Sequence, residues 1–277
     1  MKNKVFFNNS KSNKISGVLS TPRQNKDEKG LIAIISNGFP STKDGSTYIE
    51  IEKILNKLSV STLRYDYSGL GESEGTMEEF NINKSVDDLE SAVNYLHKNG
   101  FDQIALLGFS YGGIVSIVYA AQTGMSSNLK FLVLVSPVSN YKEQREMTGE
   151  VKYDKKWKKD GFVIEEDRQG NIYRIPFLFY EELAKIEGIE LASNIVCPTL
   201  VIHGSADEDI PVEQSIEIAK EMPNATLEII NGGNHHSSGP VASKKKLDLI
   251  VGFVSNSTSF GFSGLEALKL APSVELY

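Results

Sequence analysis

The feature that most constrains this 277-residue chain is a rhythm of short aliphatic runs, "LIAIIS", "STLRYDY", "QIALLGF", "KFLVLVS", "TLVIHG" and "TLEII", most of them followed by a segment of helical length. Strands buried on both faces read as continuous aliphatic runs, and the intervening helices provide the crossovers that parallel strands require. The rhythm predicts an α/β fold: a mostly parallel central sheet flanked by helices over about 46–59, 82–99 and 111–123, and from about 212 and about 240. Two earlier runs, "KVFF" and "KISGVLS", flank the polar "NNSKSN", which reads as a turn between antiparallel strands. The sheet is therefore expected to be mixed at that edge.

One segment interrupts the rhythm. Between "LVLVSPVS" and "NIVCPTLVIHG" lie about fifty residues, too many for an ordinary connection. They hold the charged "KYDKKWKKD", a hairpin pattern in "GFVIEEDRQGNIYRI" and the aromatic "PFLFYEELAKIEG". An insertion at the rim of a parallel sheet, with alternating apolar residues and a Trp to pack, is expected to be a lid or binding subdomain. The expected organisation is a core of residues 1–137 and 191–255, a lid over 138–190 after the sixth strand, and a tail over 256–277 that does not continue the pattern.

"GFSYG", Gly108 to Gly112, fits G-x-S-x-G where that pattern has physical meaning, after a strand and before a helix. A sharp turn there lifts a serine hydroxyl clear of the sheet, and the helix N-terminus aims free N–H groups at developing negative charge. A serine needs a base and an acid to orient that base. Candidates stand after two later strands: Asp207 in "SADEDIP" and His235 in "NGGNHH". Both fall at the carboxyl edge of the sheet, where functional groups of open parallel sheets gather.

These motifs together resemble the α/β-hydrolase superfamily from about Lys14 to Phe253: "GFSYGG", "HGSADEDIP" for H-G-x-x-D-x-x-V-P, "GGNHH" for G-x-x-H, and "RYDYSGLGESEG" for R-x-D-x-x-G-x-G-x-S-x-G. Within it the chain is similar to small bacterial feruloyl and cinnamoyl esterases with a compact lid. The resemblance implies Ser110 as nucleophile, His235 as base and Asp207 as the acid, ahead of Asp209 and His236 as rivals. It implies an oxyanion hole from the backbone N–H groups of Tyr111 and Phe39, the latter in "NGFP" where the family commonly has H-G-F or H-G-G, so that Asn37 replaces a histidine. His203 is expected to be a structural residue at a strand end, His97 a solvated helix residue, and Arg64, Asp66 and Glu72 structural loop residues. The insertion aromatics Trp157, Tyr173, Phe177, Phe179 and Tyr180 are candidates for lining an acyl or aryl pocket.

A formal charge of −7 and a pI near 5.3 argue against a nucleic-acid partner. The N-terminus lacks the apolar stretch of a signal peptide, and no run reaches the roughly 18 apolar residues of a spanning helix. With the lone Cys197, these features set cytoplasmic as the expected location. Phosphate-loop, H-E-x-x-H and C-x-x-C patterns are absent, and neither metal nor cofactor is expected. The expected activity is hydrolysis of a small-molecule carboxylic ester, aryl or short-acyl, with a hydroxycinnamoyl ester among them. Thioesterase and acyltransferase chemistry would use the same three residues, a peptidase fits less well, and a silent scaffold for ligand or protein binding is the alternative from another class. The sequence leaves oligomeric state open and is compatible with a dimer.

Overall fold

The aliphatic runs become strands of one eight-stranded sheet in a computed structural model of the chain, which describes residues 1–22, 30–122, 124–166 and 170–258. β1 (Lys2–Asn8) and β2 (Lys14–Ser20) form the antiparallel opening, with Lys2 opposite Ser20 and Asn8 opposite Lys14. β3 (Leu31–Ser36), β4 (Ser61–Tyr65), β5 (Gln103–Phe109) and β6 (Leu129–Val135) follow. A separate hairpin pairs β7 (Phe162–Glu166) with β8 (Ile172–Pro176). β9 (Thr199–Gly204) and β10 (Ala225–Ile230) complete the large sheet. Its order is β1-β2-β4-β3-β5-β6-β9-β10; β2 is antiparallel to β4, and every pairing from β4 to β10 is parallel.

Residues of one strand serve two cores, as the period of two requires. Ile32 and Ile34 of β3 pack on one face, while Leu31, Ala33 and Ile35 pack on the other. The first face is covered by α2 (Ile82–Lys98), α3 (Tyr111–Ala121) and α9 (Val212–Glu221), and the second by α1 (Ser46–Lys57) and α10 (Pro240–Ser257). The Asn81 side chain caps α2 by accepting from Lys84 N–H at 3.0 Å. Cover on both faces is why β3, β4 and β9 are buried at every position, whereas β10 at the edge is half-exposed. A short α4 (Met125–Asn128) precedes β6. Among the described residues no helix is long and apolar enough to cross a membrane.

Between β6 and β9 the chain forms α5 (Tyr141–Met147), α6 (Asp154–Asp160), the β7–β8 hairpin, α7 (Phe177–Leu183) and α8 (Gly188–Ala192). Gln214 of α9 pins the start of this segment: its Oε1 accepts from Ser139 and Asn140 N–H, and its Nε2 donates to Asn140 O. Trp157 of this segment joins the core on the first sheet face, and its indole N–H donates to Ile175 O at 3.1 Å. Arg145 lies over that ring and over Tyr180, paired with Glu150 and Asp154. Helix α10 runs two residues into the stretch expected as a tail; positions 259–277 lie outside the described residues.

Candidate active site

Ser110 occupies the turn from β5 into α3 with φ 51° and ψ −116°, a left-handed conformation that costs a side chain about 1–3 kcal/mol. Its surroundings hold it there. The Ser110 N–H donates to Val135 O at 3.0 Å, and its carbonyl accepts from Gly113 and Val138 N–H. The glycines two residues to either side are sterically required: a Cβ on Gly108 would lie 2.5 Å from Gly112 O, and one on Gly112 would lie 2.1 Å from Ser36 O. The sequence thus gives up side chains at both positions so that sheet and helix can close around the strained serine.

The loops after β9 and β10 bring their acid and histidine to this turn. His235 Nε2 lies 3.0 Å from Ser110 Oγ, and His235 Nδ1 lies 2.8 Å from Asp207 Oδ2. Asp207 Oδ1 accepts from the main-chain N–H groups of Asp209 and Ile210 at 2.9 and 2.8 Å. His203 Nε2 reaches Oδ2 as well, at 3.0 Å, with its Nδ1 2.7 Å from Ser215 Oγ. Burial alone would raise the Asp207 carboxyl, but the hydrogen bonds from His203 and His235 outweigh it and hold the group well below the usual carboxylate range. An ionised Asp207 favours the His235 tautomer with its proton on Nδ1, facing the carboxylate.

The rival residues take other positions. Asp209 gives Asp207 its N–H, and His236 packs edge-on against the His235 ring at 5.0 Å while its carbonyl accepts from Lys246 Nζ. His97 bonds Phe101 O at the far end of α2. His203, expected only as a strand-end structural residue, is a second donor to the acid. Its signal was the i, i+4 spacing to Asp207.

Phe39 and Tyr111 both border the cavity above Ser110, and neither N–H donates to a main-chain carbonyl among the described turns and loops. Tyr111 begins α3, where N–H groups have no helical partner. The loop bearing Phe39 is braced from three sides. Tyr48 Oη accepts from Gly38 N–H at 2.9 Å, and Asn37 Nδ2 donates to Gly38 O and Ser41 O at 3.2 and 2.8 Å. Lys43, two residues on, is buried with its ammonium 2.7 Å from both Asp66 and Glu72, and Arg64 bonds Lys43 O. The "RYDYSGLGESEG" residues therefore anchor the far end of this loop.

A cavity of about 1320 Å³ opens over Ser110. Its lining is aromatic in part, a wall formed by Phe39, Tyr111, Tyr141, Trp157 and Phe179, and polar in part, a wall formed by Ser46, Thr47, Asp209, His236 and Lys246, with the charged Arg145, Glu150, Lys156, Asp160, Glu165 and Glu166 also bordering it. Of the five insertion aromatics, Trp157 and Phe179 border this cavity, and Tyr173, Phe177 and Tyr180 are not among the residues that line it. Phe177 and Tyr180 pack on Trp157, with ring centroids 5.6 and 5.9 Å from that of Trp157, and Tyr173 is paired within the β7–β8 hairpin. Among the described residues, no three His, Cys, Asp or Glu side chains gather as a metal site.

Residues 76–260 match the family described as the prolyl oligopeptidase family. A rat protein, palmitoyl-protein thioesterase ABHD10, mitochondrial, is 28% identical over 204 residues, covering 70% of this chain and 64% of that protein, so the chain spans under two thirds of the relative's length. Two solved structures share the fold: Est1E from Butyrivibrio proteoclasticus with ferulic acid bound, at TM-score 0.74 and 21% identity over 91% of this chain and 98% of that one, and mouse ABHD10, at TM-score 0.72 and 20% identity over 92% and 99%.

Proposed function

We propose, from the premise that this chain belongs to the prolyl oligopeptidase family within the α/β-hydrolase superfamily, that it hydrolyses carboxylic esters or thioesters through an acyl-enzyme on Ser110. The observation that carries this reading is the unbroken relay from Ser110 Oγ to His235 Nε2 and from His235 Nδ1 to Asp207, at 3.0 and 2.8 Å, in a cavity that Phe39 and Tyr111 border. Ser110 Oγ attacks the acyl carbon as its proton passes to His235 Nε2, and the carbonyl oxygen gains its charge between the Phe39 and Tyr111 N–H groups. The tetrahedral adduct collapses, and the departing alcohol or thiol takes the proton from His235. Water then attacks the acyl-serine by the same route and releases the acid. Each oxyanion donor of this kind contributes about a hundredfold or more to turnover.

The substrate follows from the cavity and from the names of similar proteins. An aromatic wall fits an apolar acyl group, whether alkyl or hydroxycinnamoyl. A thioesterase among the relatives and an esterase with ferulic acid among the solved structures support the acyl class as a whole. We read residues 138–190 as a lid, since Trp157 and Phe179 from this segment border the cavity. We also read the protein as cytoplasmic, a reading that the buried, free Cys197 fits, although the name of the rat relative assigns that protein to mitochondria.

The test is turnover of nitrophenyl butyrate, a palmitoyl thioester, methyl ferulate and an Ala-Pro nitroanilide, beside the Ser110→Ala protein. Serine-dependent cleavage of esters or thioesters supports the proposal. Cleavage of the anilide alone would replace it with a peptidase, and turnover no greater than the variant's would remove the hydrolase.

A further inference from the structure

Four cationic side chains are buried among the described residues: Lys43, Arg64, Arg145 and Lys246. Three of them sit on carboxylates. Lys43 touches Asp66 and Glu72, Arg64 touches Glu52 and Asp44, and Arg145 touches Glu150 and Asp154. Lys246 differs: at 5% exposure, its ammonium donates to His236 O at 2.8 Å, and no carboxylate among the described residues lies within ion-pair distance. Glu50 of α1 acts on it only through space, and burial pushes the ammonium down from its ordinary value. A buried charge without a counter-ion is costly, and an anionic ligand would relieve that cost.

The position of Lys246 indicates what that ligand is. It borders the same cavity as Ser110, from the polar wall, and is tied to the residue after His235. In the proposed reaction His235 hands its proton to the leaving group, so the leaving group lies on the His235–His236 side, and the acyl group lies toward the aromatic wall. The N-terminus of the twelve-residue α1 borders the same wall through Ser46 and Thr47. It has no side-chain cap and no acidic residue in its first turn, which adds to the positive field there.

We propose that Lys246, on the polar lining of the cavity, recognises an anion on the leaving group, so that the preferred substrate is an ester or thioester whose alcohol or thiol bears a carboxylate or phosphate. This rests on the hydrolase reading above and adds the substrate's charge to it. Lys246 supplies the missing half of an ion pair; the carboxylates that also line the cavity, Asp209, Glu150, Asp160, Glu165 and Glu166, oppose an anion, and in the proposed complex the unpaired Lys246 ammonium outweighs them at the leaving group.

The test uses the butyrate esters of 4-(hydroxymethyl)benzoate and of 4-(hydroxymethyl)benzamide, which differ by a carboxylate against a near-isosteric carboxamide. Native protein is expected to favour the carboxylate by about tenfold or more in kcat/KM. Lys246→Gln should bring the ratio to near one, and Lys246→Arg should preserve it. A native ratio near one, or a preference that survives Lys246→Gln, overturns the proposal. Calorimetry with 4-(hydroxymethyl)benzoate on the Ser110→Ala protein separates this from the chemistry. Lys246-dependent binding with no ester turned over would retain the anion wall and reject the hydrolase. Efficient turnover of both esters without preference would do the reverse. Should Lys246→Gln not fold, the native ratio and the Lys246→Arg protein still decide.

Discussion

His203 Nε2 lies 3.0 Å from Asp207 Oδ2, sharing that oxygen with His235 Nδ1. The acid is thus held by two imidazoles and two main-chain N–H groups, and its low pKa is a product of that company. Removing His203 as a donor, with His203→Phe, should raise the Asp207 carboxyl toward its ordinary value and weaken its hold on His235. Turnover should fall by about tenfold, as for other residues that orient a primary group. Unchanged kinetics with a lowered Tm would reduce His203 to packing.

The sign for stability is fixed by the same shift. Asp207 is depressed on folding, so it stabilises the fold above the unfolded carboxylate pKa of about 3.9, and that contribution is lost as pH falls further. Asp88 has the opposite sense. Burial raises it to about 6, against the Ser68 N–H, Asn9 and Ser68 side chains that favour its ionised form. Its contribution is complete below the unfolded value and is lost as pH rises through about 6, about 3 kcal/mol in all. Urea unfolding of Asp88→Asn beside native protein should show a flatter pH dependence between 4 and 6; parallel curves would contradict this.

Asn37 should act on turnover more than on binding. Its carboxamide N–H groups hold Gly38 O and Ser41 O, and its buried Oδ1 has no partner among the described residues. Asn37→Ala frees the loop that presents the Phe39 N–H, and kcat is expected to drop about tenfold with KM little altered. A change confined to KM would show that the loop binds substrate without stabilising the oxyanion.

Asp66→Asn tests the anchor at the far end of that loop. The exchange leaves the Lys43 ammonium with a neutral amide in place of its buried carboxylate. Breaking a buried pair from one side costs about 3–5 kcal/mol, to be read from denaturant midpoints. A cost below about 1 kcal/mol would mean that Glu72 alone satisfies Lys43.

Much of this was legible in the sequence because it depends on local pattern. The continuous aliphatic runs exist only because both faces of β3, β4 and β9 are covered, and Gly108 and Gly112 flank Ser110 because nothing larger fits. Asp207 and His235 were readable from their places at strand ends. Contacts between distant segments were not. His203 looked like any strand-end histidine until β9 was set beside the loop it supports. Lys246, one of three successive lysines in "KKK", gave no sign that it alone of that run would be buried against the cavity. The aromatics of 138–190 were divided between the cavity and the packing around Trp157, a choice that residue type does not encode.

Strain at the serine gives one further expectation. At φ 51° glycine is at ease where alanine is not, so Ser110→Gly should unfold at a higher denaturant midpoint than Ser110→Ala, by about 1 kcal/mol. Equal midpoints would mean that the turn carries no strain.

The most direct test of the central claim is the rate at which a fluorophosphonate modifies the protein, with the site mapped by mass spectrometry, in native, Ser110→Ala and His235→Ala forms. The account predicts a single adduct on Ser110 in native protein, none on Ser110→Ala, and labelling of His235→Ala slowed by orders of magnitude because the serine has lost its base. An adduct on another residue, or undiminished labelling without His235, would contradict it.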